Sequence, residues 1–274
     1  MKSIIKSMTP EKLMPVARKI NSVLFSSSPK LYYPSDNFND ITALKCIVAY
    51  NKYGGYCVPR SSYYRPASQK IISGDVYEPE TIEFIRANCE NGDVVHAGTY
   101  FGDFLPAIST GSAQDAKVWA FEPNPESFRC AKITLEINDI NNVVLTNAGL
   151  GEKKDTMFIQ TTDEKGASLG GGSQIISDAS HTLENVVSVQ ILAIDDVVPP
   201  DRNVTIIQLD VEGHEQAALT GALKTIARCL PVIILEVLPD STLLDSKWFS
   251  ENILKMGYKK INDIHGNSIF SCEK

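Results

Sequence analysis

Two segments, separated by the length of a helix, constrain this chain more than anything else in it: residues 93–102, DVVHAGTYFG, and residues 117–124, KVWAFEPN. An apolar run ending in a glycine turn, a helical stretch and a second apolar run ending in a carboxylate make the nucleoside-binding half of a Rossmann-like parallel sheet. Gly98 and Gly102 let the backbone turn without a Cβ in the way. Glu122, at the tip of the second strand, is placed to accept hydrogen bonds from ribose hydroxyls. The expectation is an adenosine-type ligand that approaches the Gly98 backbone so closely that a side chain there blocks binding while leaving stability nearly intact.

Glycine spacing discriminates among such ligands. Dinucleotide enzymes rest a pyrophosphate on a helix N-terminus through the pattern G-x-G-x-x-G, whereas this turn reads G-x-x-x-G. Thr99, Tyr100 and Phe101 would crowd a pyrophosphate, but aromatic faces and carboxylates attract a sulfonium. S-adenosyl-L-methionine therefore fits better than NAD. A third segment, residues 204–215, VTIIQLDVEGHE, adds a carboxylate cluster. Residues 205–209 read as a buried parallel strand, and 215–227 as one helix with Ala218, Leu219, Ala222, Leu223 and Ile226 inward. Asp210 then stands at the carboxyl edge of the sheet, where open α/β folds bind ligands. Glu212 and Glu215 also suit a plain role at the start of the next helix.

Together these segments resemble the FkbM family of S-adenosylmethionine-dependent methyltransferases, which usually act on hydroxyl oxygens. The resemblance runs from residue 77 to the C-terminus and is strongest at 119–124, 147–151, 192–196, 209–213 and 234–236. It implies a class I methyltransferase fold, mostly parallel with a C-terminal antiparallel edge strand. It also implies that the turn His96, Ala97, Gly98, Thr99, Tyr100, Phe101, Gly102 and Asp103 holds the methionine part of the cofactor. Glu122, Pro123 and Asn124 would then serve the ribose, Asn147 and Ala148 the adenine edge, and Asp210 would lie beside the reacting methyl. Relatives usually carry Asp-Val-Gly-Ala-Asn-x-Gly at this turn. Here His96 replaces the acidic residue and Tyr100 the asparagine, which leaves Asp103 or Glu78 to supply the missing carboxylate. Asp210 is the first candidate to orient or deprotonate an acceptor hydroxyl, with Glu212 and His214 as alternatives.

The rest of the chain narrows the setting. Its 274 residues suffice for one large core, the methyltransferase domain over 76–274, preceded by an accessory segment over 1–75. That segment is expected to carry amphipathic helices over 9–25 and 40–53. The aromatic and basic stretch 53–65 suits either a wall of the acceptor pocket or a packing loop. A net charge of −7 argues against nucleic acid. Six cysteines without C-x-x-C spacing read as reduced thiols of a cytoplasmic protein. Neither a secretory signal nor a membrane span is recognised. Segment 166–173, GASLGGGS, lacks the lysine of a P-loop and reads as a loop or lid. A divalent metal at Asp195, Asp196, Asp210 and Glu236 is a weaker reading, because no histidine accompanies them. The partner implied is a small-molecule or glycan acceptor. Two other functions fit parts of the pattern: a methyltransferase-like binding protein without turnover, and an NAD-dependent oxidoreductase.

Overall fold

The computed structural model describes residues 43–89, 91–176 and 186–272; the helix expected over 9–25 lies outside them. A hairpin of β1 (Cys46–Asn51) and β2 (Gly54–Pro59) comes first, then α1 (Pro66–Ile72) and α2 (Pro79–Asn88). The Rossmann core begins with β3 (Asp93–Ala97), α3 (Leu105–Gly111), β4 (Val118–Phe121), α4 (Pro125–Ile137) and β5 (Val143–Thr146). An inserted sheet follows, made of β6 (Gly149–Leu150), β7 (Asp155–Gln160), β8 (Gln174–Ile176) and β9 (Val186–Leu192), and after it the short α5 (Ile194–Val197). The core resumes with β10 (Val204–Leu209), α6 (Glu215–Thr220), α7 (Leu223–Cys229), β11 (Val232–Glu236) and α8 (Lys247–Asn252). It closes with β12 (Tyr258–Ile264) and β13 (Asn267–Cys272).

The central sheet has the order β12-β13-β11-β10-β3-β4-β5, parallel from β11 to β5. Strand alternation sorts its side chains between two layers of helices. Val95, Ala97, Phe121, Ile207, Leu209 and Leu235 pack against α6, α7 and α8. Val94, Val118, Ala120, Ile206 and Ile234 pack against α2, α3 and α4. Each fully buried aliphatic side chain contributes about 1.5–3 kcal/mol relative to exposure, so both faces of the sheet drive folding. At the amino ends of the strands, the buried Asp93 carboxylate accepts from Lys117 N (2.8 Å), Trp119 Nε1 (2.8 Å) and Arg202 Nε (2.7 Å). Burial pushes its pKa up, but these donors and the Arg202 charge prevail and hold it below the usual carboxylate range. That cluster is a structural clasp, at the end of the sheet opposite the site.

Three expectations need correction. Residues 46–51 form a strand, not part of a helix: Ile47 and Ala49 turn inward while Val48 and Tyr50 face out, and β2 pairs along the whole length. Helix α4 satisfies β2 on its other side, through Thr134 Oγ1 to Cys57 N (3.0 Å) and the Asn138 amide to Gly55 N and O (2.9 and 2.7 Å). The helix expected over 215–227 is broken into α6 and α7 at Gly221, which packs directly on the Gly151 backbone. Asp195 caps the second piece by accepting from Lys224 N (3.0 Å) and Thr225 N (2.8 Å), which also takes it out of any metal site with Asp210. Finally, the expected C-terminal antiparallel edge strand is present, but it is β12: the last strand, β13, lies between β12 and β11, antiparallel to both. In the inserted sheet β7 pairs antiparallel with both β8 and β9. Residues from Leu44 onward belong to one compact unit. No helix among the described residues is long and apolar enough to cross a membrane.

Candidate functional site

Strands β3 and β10 are neighbours whose following connections leave in opposite directions along the sheet, which opens a crevice at their carboxyl ends. Gly98 (φ +81°) begins the turn after β3, and its N–H and that of Thr99 both donate to Phe121 O at 3.2 Å. A Cβ on Gly98 would drive into the carbonyl group of Asp210. The glycine is therefore demanded by the protein's own packing. This revises the expectation that a side chain there would disturb binding and spare the fold.

Glu122 directly follows β4 and is only 5% exposed. Its carboxylate accepts from Tyr100 N (2.6 Å) and Asn124 N (2.8 Å), pinning the glycine turn, strained at Tyr100 (φ +51°), to the neighbouring strand. Burial pushes its pKa up to about 8, against the opposite pull of the two backbone N–H groups. A carboxyl with a raised folded pKa contributes stability below its ordinary value, and loses that contribution as pH rises toward 8. Asp103, raised to about 7 by burial and by Glu78, acts in the same direction. The urea midpoint is accordingly expected to fall between pH 6 and pH 9, and Glu122→Gln to flatten that slope. A wild-type midpoint that rises over this range contradicts the assignment.

Two adjoining cavities share Gly98, Asp210 and Glu212 as walls. One is apolar, with Phe121, Ala148, Leu150, Ile159 and Ile175 around Glu122. The other, about 210 Å³, is acidic: Glu78, Asp103, Asp210, Glu212 and Glu236 line it with Arg65. Segment 170–173 of the glycine-rich loop runs beside both, with Gly171 lining each cavity and packing near the Tyr100 ring. The loop is tied to the N-terminal elements, since Arg65 Nη2 donates to Ser168 O at 3.1 Å and Tyr64 Oη donates to the same oxygen. The stretch 53–65 thus splits between roles, β2 packing on α4 and Arg65 reaching the cavity.

The expected site residues divide similarly. Asp210, Glu212, Asp103, Tyr100, His96 and Gly98 meet at the acidic cavity, while Ala97, Glu122, Pro123 and Ala148 line the apolar one. Thr99 is fully buried, its hydroxyl donating to His96 O at 3.3 Å, and Phe101 and Gly102 pack against the core beneath. Asn124 caps α4 by accepting from Glu126 N at 3.0 Å, and Asn147 donates to Glu122 O at 2.7 Å, so both act as braces for the β4 tip. His214 is half-buried beside Gly151 and lines neither cavity, which removes it from the list of bases. His96 is 2% exposed, stacked on Phe104, and hydrogen-bonded through Nδ1 to Gln208 Oε1; its Nε2 is buried without a hydrogen-bond partner. Burial lowers its pKa to about 4, so the ring is neutral at physiological pH. Sequence reasoning missed Arg65, Tyr77 and Gln208 as specific cavity residues and weighed Glu236 only as a metal ligand. For Glu236 a signal existed, since it ends an apolar strand as Asp210 does.

The sheet order and the carboxylate-tipped strands around this crevice define a class I methyltransferase fold. The sequence model of the methyltransferase FkbM domain matches residues 96–254, more than half of the chain, and the chain belongs to the FkbM methyltransferase family. Among solved structures, a methyltransferase FkbM from Methylobacillus flagellatus KT is similar at 19% identity and a TM-score of 0.47, over 66% of this chain and 43% of that one. The chain thus spans less than half the length of that relative. Trm5b from Pyrococcus abyssi is similar at 12% identity and a TM-score of 0.44, over 84% of this chain and 55% of its own. TYW2 from M. jannaschii, solved with AdoMet, is similar at 13% identity and a TM-score of 0.41, over 85% and 89%. Comparison with curated proteins finds no match.

Proposed function

We propose that this chain is an S-adenosylmethionine-dependent methyltransferase that acts on a hydroxyl of a small molecule or glycan. The observation that carries the reading is the joining of an apolar cavity, with Glu122 at its wall, to an acidic one at the sheet's switch point. The residues fit the cofactor chemically. An apolar slot beside Ala148 and Phe121 suits a purine, a buried carboxylate suits a ribose diol, and carboxylates with the Tyr100 ring suit a sulfonium and an ammonium. When bound, S-adenosylmethionine supplies a methyl group already activated toward displacement. The protein's tasks are then to align the acceptor and to take one proton. Asp210 is assigned the proton, with Glu212 as its neighbour on the same cavity wall. Asp103 and Glu78 are assigned the amino-acid end, in place of the acidic residue that His96 replaces. A cytoplasmic setting and the absence of nucleic-acid and membrane partners belong to the same proposal.

Glu122→Ala is expected to weaken S-adenosylmethionine binding about ten- to a hundredfold or more when measured above pH 8, where the carboxyl carries its charge, because hydrogen bonds to a charged group contribute about 1.5–3 kcal/mol. Calorimetry on the folded variant checks this, and unchanged affinity overturns the ribose assignment. Binding of the cofactor without transfer to any hydroxyl acceptor would point instead to a methyltransferase-like binding protein. Binding of NAD in its place would restore the oxidoreductase reading.

A further inference from the structure

The acidic cavity holds more carboxyl groups than the cofactor accounts for. Glu78, Asp103, Asp210, Glu212 and Glu236 face one cation, Arg65, whose guanidinium is engaged with Ser168 O. S-adenosylmethionine brings a sulfonium, an ammonium and a carboxylate, a single net positive charge, so a surplus of carboxylates is left for the acceptor. Among the described residues no three acidic, histidine or cysteine side chains are grouped to hold a metal ion. The carboxylates are spread around a space of about 210 Å³, the scale of an organic cation. An independent feature of the wall points the same way. His96 lines the cavity, and its Nε2 is buried without a hydrogen-bond partner. With Gln208 Oε1 accepting from Nδ1, the proton sits on Nδ1 and Nε2 presents a lone pair. An occupant that satisfies Nε2 and the ionised carboxylates of this wall must bring donors.

Resting on the methyltransferase reading, we infer that the acceptor carries a protonated amine close to the hydroxyl it offers, with Glu212 and Glu236 holding the ammonium. Phosphorylated or carboxylated acceptors are rejected by like charge. Burial and the mutual proximity of Glu236, Glu212, Glu78 and Asp103 push the Asp210 pKa well above the usual range. An ammonium among these groups relieves that repulsion and leaves Asp210 free to ionise as a base.

Three isosteric probes test the inference on the full chain loaded with S-adenosylhomocysteine: ethanolamine, ethylene glycol and glycolate, followed by ligand-observed NMR. Ethanolamine is expected to bind at least about tenfold more tightly than either other probe. Its advantage should shrink with added salt, and should vanish in the Glu212→Gln/Glu236→Gln double variant saturated with S-adenosylhomocysteine. Equal binding of ethanolamine and ethylene glycol, including none of either, overturns the inference, as does preference for glycolate or an advantage that survives the double substitution. Calorimetry separates the two levels. If S-adenosylhomocysteine binds but ethanolamine is not preferred, only the acceptor class fails; if neither S-adenosylmethionine nor S-adenosylhomocysteine binds, the methyltransferase reading fails.

Discussion

Gly98→Ala is expected to destabilise the protein by about 2–6 kcal/mol. A non-glycine residue held at positive φ costs about 1–3 kcal/mol, and forcing a methyl into a packed interior adds about 1–3 kcal/mol. Both apply here, with φ at +81° and the Asp210 carbonyl occupying the space the methyl needs. Against a typical total of about 5–15 kcal/mol, such a loss leaves a marginal domain. Gly102→Ala provides the control. It shares the positive φ (+83°), but the nearest atom to its Cβ is the flexible Leu105 Cδ1 at 3.2 Å, so about 1–3 kcal/mol is expected. Urea unfolding of both variants, with calorimetry of S-adenosylhomocysteine binding at low temperature, separates the roles. A Gly98→Ala protein with a wild-type midpoint and no binding would restore the view that this glycine exists for the ligand.

That reversal shows where sequence reading reaches its limit. Positive φ at a glycine turn is legible from the residues, since the turn needs it. Which atom comes close to the turn is set by the neighbouring strand, and β3 meets β10 only through sheet order, more than a hundred positions away. The same holds for His96, which looks like a lone strand-end histidine until β10 brings Gln208 beside it. Asp210 and Glu122 were legible because each ends an apolar run, a local pattern. Arg65 and Tyr77 end no such run and reach the cavity only because the hairpin and α1 pack over the turn. Residues 40–53 misled for a related reason. Leu44, Ile47 and Val48 satisfy a helical spacing, but β2 offers a full pairing partner and makes period two win. The acidic cavity was hidden as well, because its carboxyl groups come from four separate places in the chain and only Asp210 and Glu212 are close in sequence.

Asp210→Asn is expected to lower kcat by about 10²–10⁴-fold, the contribution of a positioned base or proton acceptor. The substitution keeps the shape of the side chain and removes its charge, so cofactor affinity should stay within a few fold. The environment adds a pH signature. Burial, with Glu236 and the other cavity carboxylates nearby, raises the Asp210 pKa well above its ordinary value. The protonated form is inactive as a base, so wild-type turnover should climb with pH as Asp210 loses its proton, and the asparagine variant should lack that limb. Glu236→Gln removes the largest neighbouring charge acting on Asp210 and should move the limb to lower pH. Methyl transfer measured across pH with a hydroxyl acceptor decides the matter. An Asp210→Asn protein with full turnover and an unchanged profile rejects the assignment and transfers the role to Glu212 or Glu236, the other carboxylates on the same wall.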